Sequence, residues 1–397
     1  MITVLTACKI IDREASAIGA EKVALTDAVG RVLRENIVAD CDLPPFDRSQ
    51  MDGYAVIAAD TNICPATLKI IGESAAGRGW HKSINPGEAV RIMTGAPVPS
   101  GADAVQKVEM ARETGRYVEI IEPTQTGRFI VPKGSEITND ATVFSSGREI
   151  KENMIATLAA FGYAQVKVGK RPRVAIIGTG SEIVEIDKKP GRDQIRNSNS
   201  VMLDVLSRKF GAEPTILRNV KDEISDLKFE ISNVSKNFDI LVLTGGVSVG
   251  KYDHTKTALS ELGAEIFFEK VRLKPGKPAV FARLGKALIF GLPGNPVSAA
   301  VTFHLFVRKA ILKLCGAVDT DLKHNFAVLA SGARAARERD TYLPSAVETN
   351  NQGQLIARPL RWHGSSDFIG FAQADSLVVL KKGEEKLRGE VAKIVLL

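Results

Sequence analysis

Apolar and polar positions follow three different rhythms along this chain, and the changes of rhythm divide it. Over about residues 6–18 apolar side chains recur at helical spacing, with Thr6 placed as the N-cap. Residues 32–39 read as an extended strand. From about 55 to 144 the period is two: short runs at 67–71, 89–93, 105–108 and 117–121 are parted by glycine and proline turns, which predicts an all-β segment. A helix over about 153–161 and the linker Gly169-Lys170-Arg171-Pro172 follow. Helical stretches on either side of a β-rich middle point to an inserted domain whose flanks rejoin in space.

From Arg173 strands and helices alternate. Strands are predicted at 174–177, 214–220, 240–243, 266–273 and 287–291, with helices near 200–210, 222–236, 255–262 and 297–314 between and after them. Such βαβ alternation predicts a doubly wound, mostly parallel α/β sheet. Beyond about 318 the short runs near 325–330, 346–349, 354–357 and 377–380 predict a small β-barrel or sandwich.

At 397 residues the chain exceeds one ordinary core, and 44% hydrophobic with 25% charged residues excludes disorder. The net charge of +7 favours anionic ligands, but it is spread along the chain, and no stripe of interleaved basic and aromatic residues points to nucleic acid. Cys8, Cys41, Cys64 and Cys315 lie far apart without CxxC spacing, which argues against zinc and disulfides and fits a cytoplasmic protein. The first residues lack the apolar run of a signal peptide, and nothing approaches the roughly 18 apolar residues of a membrane span.

The candidate chemistry sits where apolar strands break into small residues. One strand ends in Thr244-Gly245-Gly246-Val247-Ser248-Val249-Gly250, another in Gly178-Thr179-Gly180-Ser181-Glu182, a third in Leu292-Pro293-Gly294-Asn295-Pro296-Val297-Ser298. Glycines let a ligand approach backbone N–H groups, and successive N–H groups form a concave anion nest. A tight strand-to-helix turn without a ligand is the other reading of any single loop; three at the carboxyl edge of one sheet favour the ligand. Glu182, Asp222 and Asp253 gather near these loops, with Lys270 and Lys274 on or just after a neighbouring strand. Three carboxylates beside an anion nest repel a bare phosphate unless Mg²⁺ bridges them, whereas as surface ion pairs they contribute little. For Pro293-Gly294-Asn295-Pro296 a rigid helix entrance and an anion-attracting helix N-terminus hold together. Earlier in the chain, Pro44-Pro45-Phe46-Asp47-Arg48-Ser49-Gln50-Met51-Asp52-Gly53 presents Asp47, Ser49 and Asp52 on a stiff turn, either aimed at a substrate or capping local N–H groups. The five histidines show no metal-ligand spacing, and GxSxG, Walker A and HExxH motifs are absent.

With these segments in place, the sequence resembles the molybdopterin molybdenumtransferase family, the bacterial relatives of the C-terminal part of gephyrin. The resemblance rests on PPFDRSQMDGYAV, RIMTGAPVP, the TGSE loop, TGGVSVGKYD, LKPGKP and LPGNPVSA, in family order from Pro44 to Ala299. It implies a multidomain α/β and β protein: an elongated, discontinuous N-terminal domain (1–43 and 145–170), an inserted β domain (44–144), a molybdopterin-binding α/β domain (171–316) and a C-terminal β-barrel (317–397). It further implies insertion of molybdate into adenylylated molybdopterin with release of AMP, and a requirement for Mg²⁺. Family roles then fall on Asp52, Thr94, Glu182, Asp222, Asp253, Lys270, Lys274, Pro293, Pro296 and Ser365, with Asp222 and Asp253 as metal ligands. The expected partners are a second copy of the chain, in an elongated homodimer, and the molybdopterin adenylyltransferase. Two other readings are an adenylyltransferase, whose whole fold resembles residues 173–316, and a non-catalytic gephyrin-like scaffold. One departure stands out: where the family carries an arginine-containing stretch before Gly-Glu-Asp, this chain has Phe129-Ile130-Val131-Pro132-Lys133-Gly134-Ser135-Glu136, leaving Arg128 or Lys133 to replace the arginine.

Overall fold

A computed structural model describes all residues except Lys221, Asp222, 247–253 and Trp362. The chain divides into two compact units, one of Met1–Glu35, Ser146–Ile155 and Gln165–Leu397, the other of Asn36–Ser145 and Ala156–Ala164.

The larger unit begins with helix α1 (Val4–Glu14), capped by Thr3, whose hydroxyl accepts the Thr6 N–H at 3.0 Å. The cap therefore lies three residues before the one expected, and Thr6 is inside the helix. Its α/β sheet has strands β1 (Arg173–Gly178), β2 (Glu213–Ile216), β3 (Ile240–Thr244), β4 (Glu265–Lys270), β5 (Pro278–Leu284) and β6 (Ala287–Leu292), in the order β2-β1-β3-β6-β5-β4. The first four in that order run parallel, and β5 and β4 add antiparallel pairings. All five residues of β3 are buried, as in a strand covered on both faces. Its alternate residues serve two cores. Ile240 and Val242 pack with Leu203 of α2 (Ser198–Lys209), and Leu241 and Leu243 with Ile231 of α3 (Ile224–Val234) and Leu259 of α4 (His254–Glu261).

Two departures from the periodicity matter for the site. The run expected over 266–273 is β4 plus a separate Leu273–Lys274 strand, and β5 was not foreseen at all. β5 and β6 form a hairpin in which Leu284 faces Ala287 across Gly285 and Lys286, with Gly285 at a φ of 60°. After β6 the chain enters α5 (Pro296–Thr302), passes through a π-helical stretch (Phe303–Val307) and continues as α6 (Arg308–Cys315).

Strands β7 (His324–Leu329), β8 (Asp340–Thr349), β9 (Leu355–Pro359), β10 (Ser376–Leu380) and β11 (Val391–Leu396) close into a five-stranded barrel, because β8 pairs with both β9 and β10. Val378 and Leu380 fill its interior, while Leu377 and Val379 turn outward into the core shared with the α/β sheet. The Leu273–Lys274 strand pairs with the start of β8.

The smaller unit is built on a six-stranded mixed sheet in the order Ala104–Lys107, Gly53–Val56, Glu88–Ile92, Ala66–Ser74, Tyr117–Ile120, Ala111–Thr114. Each run expected from period-two alternation is a strand here. The stretch at 32–39 is less regular: only Ile37–Val38 forms a strand in the smaller unit, and Val32 and Leu33 make isolated bridges in the larger one. Among the described residues no helix is long and apolar enough to cross a membrane.

Candidate active site

Parallel pairing fixes the site. Gly178 of β1 stands beside Thr244 of β3, and Thr244 beside Leu292 of β6, so three strand ends open at one edge of the sheet. The loops then interlock. Thr179 N–H donates to the Thr244 carbonyl at 2.9 Å, and Gly245 N–H to the Leu292 carbonyl at 3.2 Å. A Cβ on Gly245, whose φ is 96°, would lie 2.4 Å from the Thr179 carbonyl oxygen, so only glycine fits there. A Cβ on Gly294 would touch Gly245 Cα at 3.5 Å, which brings the third loop against the second.

These loops line a cleft of about 770 Å³, a size suited to a small-molecule ligand. Thr179, Thr244, Gly245, Gly294, Asn295 and Pro296 contribute to its wall, as anticipated, and so does Glu182. The Glu182 carboxylate folds back over Gly180 into the space a side chain there would fill, with Oε2 2.5 Å from the position of a Cβ. Thr244 Oγ1 donates to the Pro293 carbonyl at 3.4 Å. Ser365 also reaches this edge: its hydroxyl accepts from Asn295 Nδ2 at 2.8 Å and its carbonyl from Val297 N–H at 3.1 Å. Gly246 is half-buried beside Thr179 Oγ1, Ser181 is exposed, and Ser298 is buried in α5 with its carbonyl bonded to the Thr302 hydroxyl at 2.7 Å.

Not every nominated residue meets there. Lys270 ends β4 at the same edge, since two antiparallel steps restore the strand direction, but β5 separates β4 from β6. Two strand spacings of ~5 Å each place it well to one side of the three loops. Lys274 is exposed and pairs along the barrel strand β8, opposite Thr341. Asp222, Asp253, Ser248 and Gly250 lie outside the described residues. Among the described residues no three His, Cys, Asp or Glu side chains converge as a metal site.

Two groups that the sequence reading passed over are prominent. Asn199, in the first turn of α2, donates through Nδ2 to Thr244 Oγ1 at 3.0 Å and to the Gly294 carbonyl at 2.7 Å, tying two loops together. Its Oδ1 is buried with no partner, a cost the fold accepts at this spot. Arg196 also lines the cleft and makes no ion pair among the described residues. The signal was the stretch Gln194-Ile195-Arg196-Asn197-Ser198-Asn199, where Asn197 caps α2 through the Ser200 N–H at 3.1 Å and so aims a helix N-terminus at the cleft.

In the smaller unit, Asp52 Oδ1 accepts from the Thr94 N–H at 2.6 Å and the Thr94 hydroxyl at 2.9 Å. The Thr94 N–H first, and its hydroxyl second, hold the exposed Asp52 carboxyl below its ordinary range. Asp47 and Ser49 serve locally, Asp47 accepting the Lys133 N–H at 2.7 Å and Ser49 donating to the Met51 carbonyl at 2.6 Å. At the departure from the family pattern, Glu136 pairs with Arg48 at 3.2 Å, Lys133 with Asp42 at 3.3 Å, and the Arg128 guanidinium lies over the Phe129 ring at 5.1 Å.

A second cavity, of about 730 Å³, opens between α1, α6 and the barrel. Lys309 there is paired with Asp12 and Asp321, and Lys381 with Asp340, so much of its charge is compensated.

Comparison with known proteins agrees over the whole length. Residues 2–162 match the MoeA N-terminal region (domain I and II), 175–313 a probable molybdopterin binding domain, and 327–397 the MoeA C-terminal region (domain IV). The chain is 33% identical over 400 residues to the molybdopterin molybdenumtransferase of Staphylococcus aureus (strain MSSA476), covering all of this chain and 95% of the relative. It is 34% identical to the protein of the same name from Bacillus subtilis (strain 168), over 91% of this chain and 86% of that one. A crystal structure of the molybdopterin biosynthesis MoeA protein from Pyrococcus horikoshii OT3 superposes with a TM-score of 0.87 at 30% identity, covering both chains fully. The chain therefore belongs to the MoeA family of molybdopterin molybdenumtransferases.

Proposed function

We propose that the chain completes molybdenum cofactor synthesis by inserting molybdate into adenylylated molybdopterin, with release of AMP. The observation that carries this is the cleft of three interlocked strand-end loops, in a chain that matches molybdenumtransferases from end to end. That end-to-end match disfavours the adenylyltransferase alternative, which corresponds to the sheet domain alone.

In this reading Thr179, Gly180, Ser181, Thr244, Gly245, Gly246, Ser248 and Gly250 cradle the phosphates. Pro293, Gly294, Asn295, Pro296, Ser298 and Ser365 close the other side, and Thr94 orients Asp52. Asp52, Glu182, Asp222, Asp253, Lys270 and Lys274 are the proposed catalytic set, the lysines supplying compact positive charge for the oxyanion. Mg²⁺ in such proteins is held by one or two carboxylates together with substrate phosphates. The Glu182 carboxylate, folded over Gly180 beside the phosphate loops, fits that donor set, and Asp222 and Asp253 are the proposed further ligands. When bound, Mg²⁺ neutralises charge on the phosphoanhydride as it is cleaved. We also propose a homodimer, a cytoplasmic location, which four unpaired cysteines suit, and the adenylyltransferase as the supplier of substrate. The present four-part division at residues 1–43 with 145–170, 44–144, 171–316 and 317–397 is part of the same proposal.

The test is AMP release and cofactor formation by purified protein given adenylylated molybdopterin, molybdate and Mg²⁺. Activity is expected, abolished by EDTA, and reduced about 100-fold in Glu182→Gln, the usual scale for losing one charged group from a preorganised site. Formation of adenylylated pterin from ATP and molybdopterin, with no molybdenum insertion, would overturn the assignment in favour of the adenylyltransferase.

A further inference from the structure

The floor and the mouth of the cleft differ in character. The floor is polar, built from threonines, Asn199 and glycine backbone. At the mouth stand two large apolar side chains left open to solvent, Ile195 at 60% exposure and Phe368 at 51%, with the half-buried Ile183 between the first loop and them in sequence. Single exposed apolar residues need no explanation. Here, however, all three line one ligand-sized cavity.

The phenyl ring is presented on a pinned segment. Asp367 accepts from the Gly370 N–H at 2.9 Å and the His363 N–H at 2.9 Å, capping the short helix α7 (Phe368–Phe371). Three residues before the ring, Ser365 is bonded through its hydroxyl to Asn295 and through its carbonyl to Val297. The third glycine loop and the ring-bearing segment thus form one hydrogen-bonded piece. A second apolar ridge is fixed by the parallel pairing of Ile183 with Ile195. Arg196, next along that strand, offers a planar guanidinium at the same cavity.

We propose that Phe368, with Ile183 and Ile195, forms a platform on which a flat nitrogen heterocycle of the substrate stacks while its phosphates lie on the loops below. This rests on the molybdenumtransferase reading, whose substrate carries two such rings, an adenine and a pterin, each with the same kind of π-face. Aromatic stacking tolerates either ring and is strong enough to set affinity.

The experiment compares three ligands on the full chain: AMP, a pterin monophosphate, and inorganic pyrophosphate as a probe without a ring. Wild type, Phe368→Ala and Phe368→Tyr are titrated by calorimetry, and the pterin also by its fluorescence. Because half of Phe368 is already exposed, the substitutions leave the fold intact, which circular dichroism checks. Phe368→Ala is expected to weaken at least one ring-bearing ligand about tenfold, Phe368→Tyr to restore it to within about twofold, and pyrophosphate to bind all three proteins alike. The ligand that loses affinity identifies the stacked ring. Unchanged binding of both ring ligands by Phe368→Ala, or an equal loss of pyrophosphate, would overturn the platform while leaving the proposed reaction standing. A wild-type chain that binds none of the three would overturn the molybdenumtransferase reading, and the platform with it.

Discussion

Asn199 illustrates how much one side chain can organise. Both hydrogens of its amide are spent on holding Thr244 and Gly294 together, so the remaining oxygen is left as an acceptor only. Helical periodicity said nothing of this, because the partners are 45 and 95 residues away in sequence. Asp52 was more legible: a carboxylate between prolines and a strand announces a turn with a purpose, although its tie to Thr94 required the fold. Burial acts differently on His304, which is 4% exposed and lies edge-on to Phe210. Burial first, then Lys209 and Arg308, push its pKa down from 6.5 to about 4. Between those two values the unfolded chain binds a proton that the folded chain refuses. Stability is therefore complete above pH 6.5 and falls as pH drops towards 4, by at most about 1.4 kcal/mol per pH unit. The difference in unfolding free energy between wild type and His304→Phe, measured by urea denaturation across pH 4–7, is expected to shift against wild type on acidification. A difference that stays constant would show that His304 is not the group responsible.

Strands were read well where their rhythm was clean and badly where a turn was not recognised. Each strand run anticipated in the smaller unit is present because one face packs inward and its alternation is preserved, as at Tyr54 and Val56 on one side of the sheet and Ala55 on the other. β5 was missed because Lys274-Pro275-Gly276-Lys277-Pro278 was taken as a loop with no strand after it, and because Gly285-Lys286 was not recognised as a two-residue hairpin turn. That omission put Lys270 one strand too close to the glycine loops. Strand-level packing also makes a sharp stability prediction. A Cβ on Gly53 would lie 1.9 Å from the Gln106 carbonyl oxygen of the adjoining strand, which is backbone and cannot swing aside. Gly53→Ala is expected to destabilise the smaller unit by about 2–4 kcal/mol, read as a lower denaturation midpoint. A midpoint unchanged from wild type would mean that these two strands separate at little cost.

At the scale of the molecule, the doubly wound sheet and the closed barrel were both legible in the changes of period. Their common core was not, since nothing in the sequence says that Leu377 and Val379 face the α/β sheet while Val378 and Leu380 face the barrel axis. The proposed homodimer is checked by sedimentation equilibrium: a mass twice that of the 42.7 kDa chain is expected at micromolar concentration, and a monomer mass there would refute it. The π-helical stretch at Phe303–Val307 has a consequence for how the long helix may vary. Such a widened turn is equivalent to one extra residue in an otherwise regular spiral. Removing a single residue from it would restore ordinary geometry, yet rotate everything beyond by about 100°. Either Pro296 would swing off the cleft or Leu314 would leave the core, so a one-residue deletion at this point should be tolerated far less well than its small size suggests.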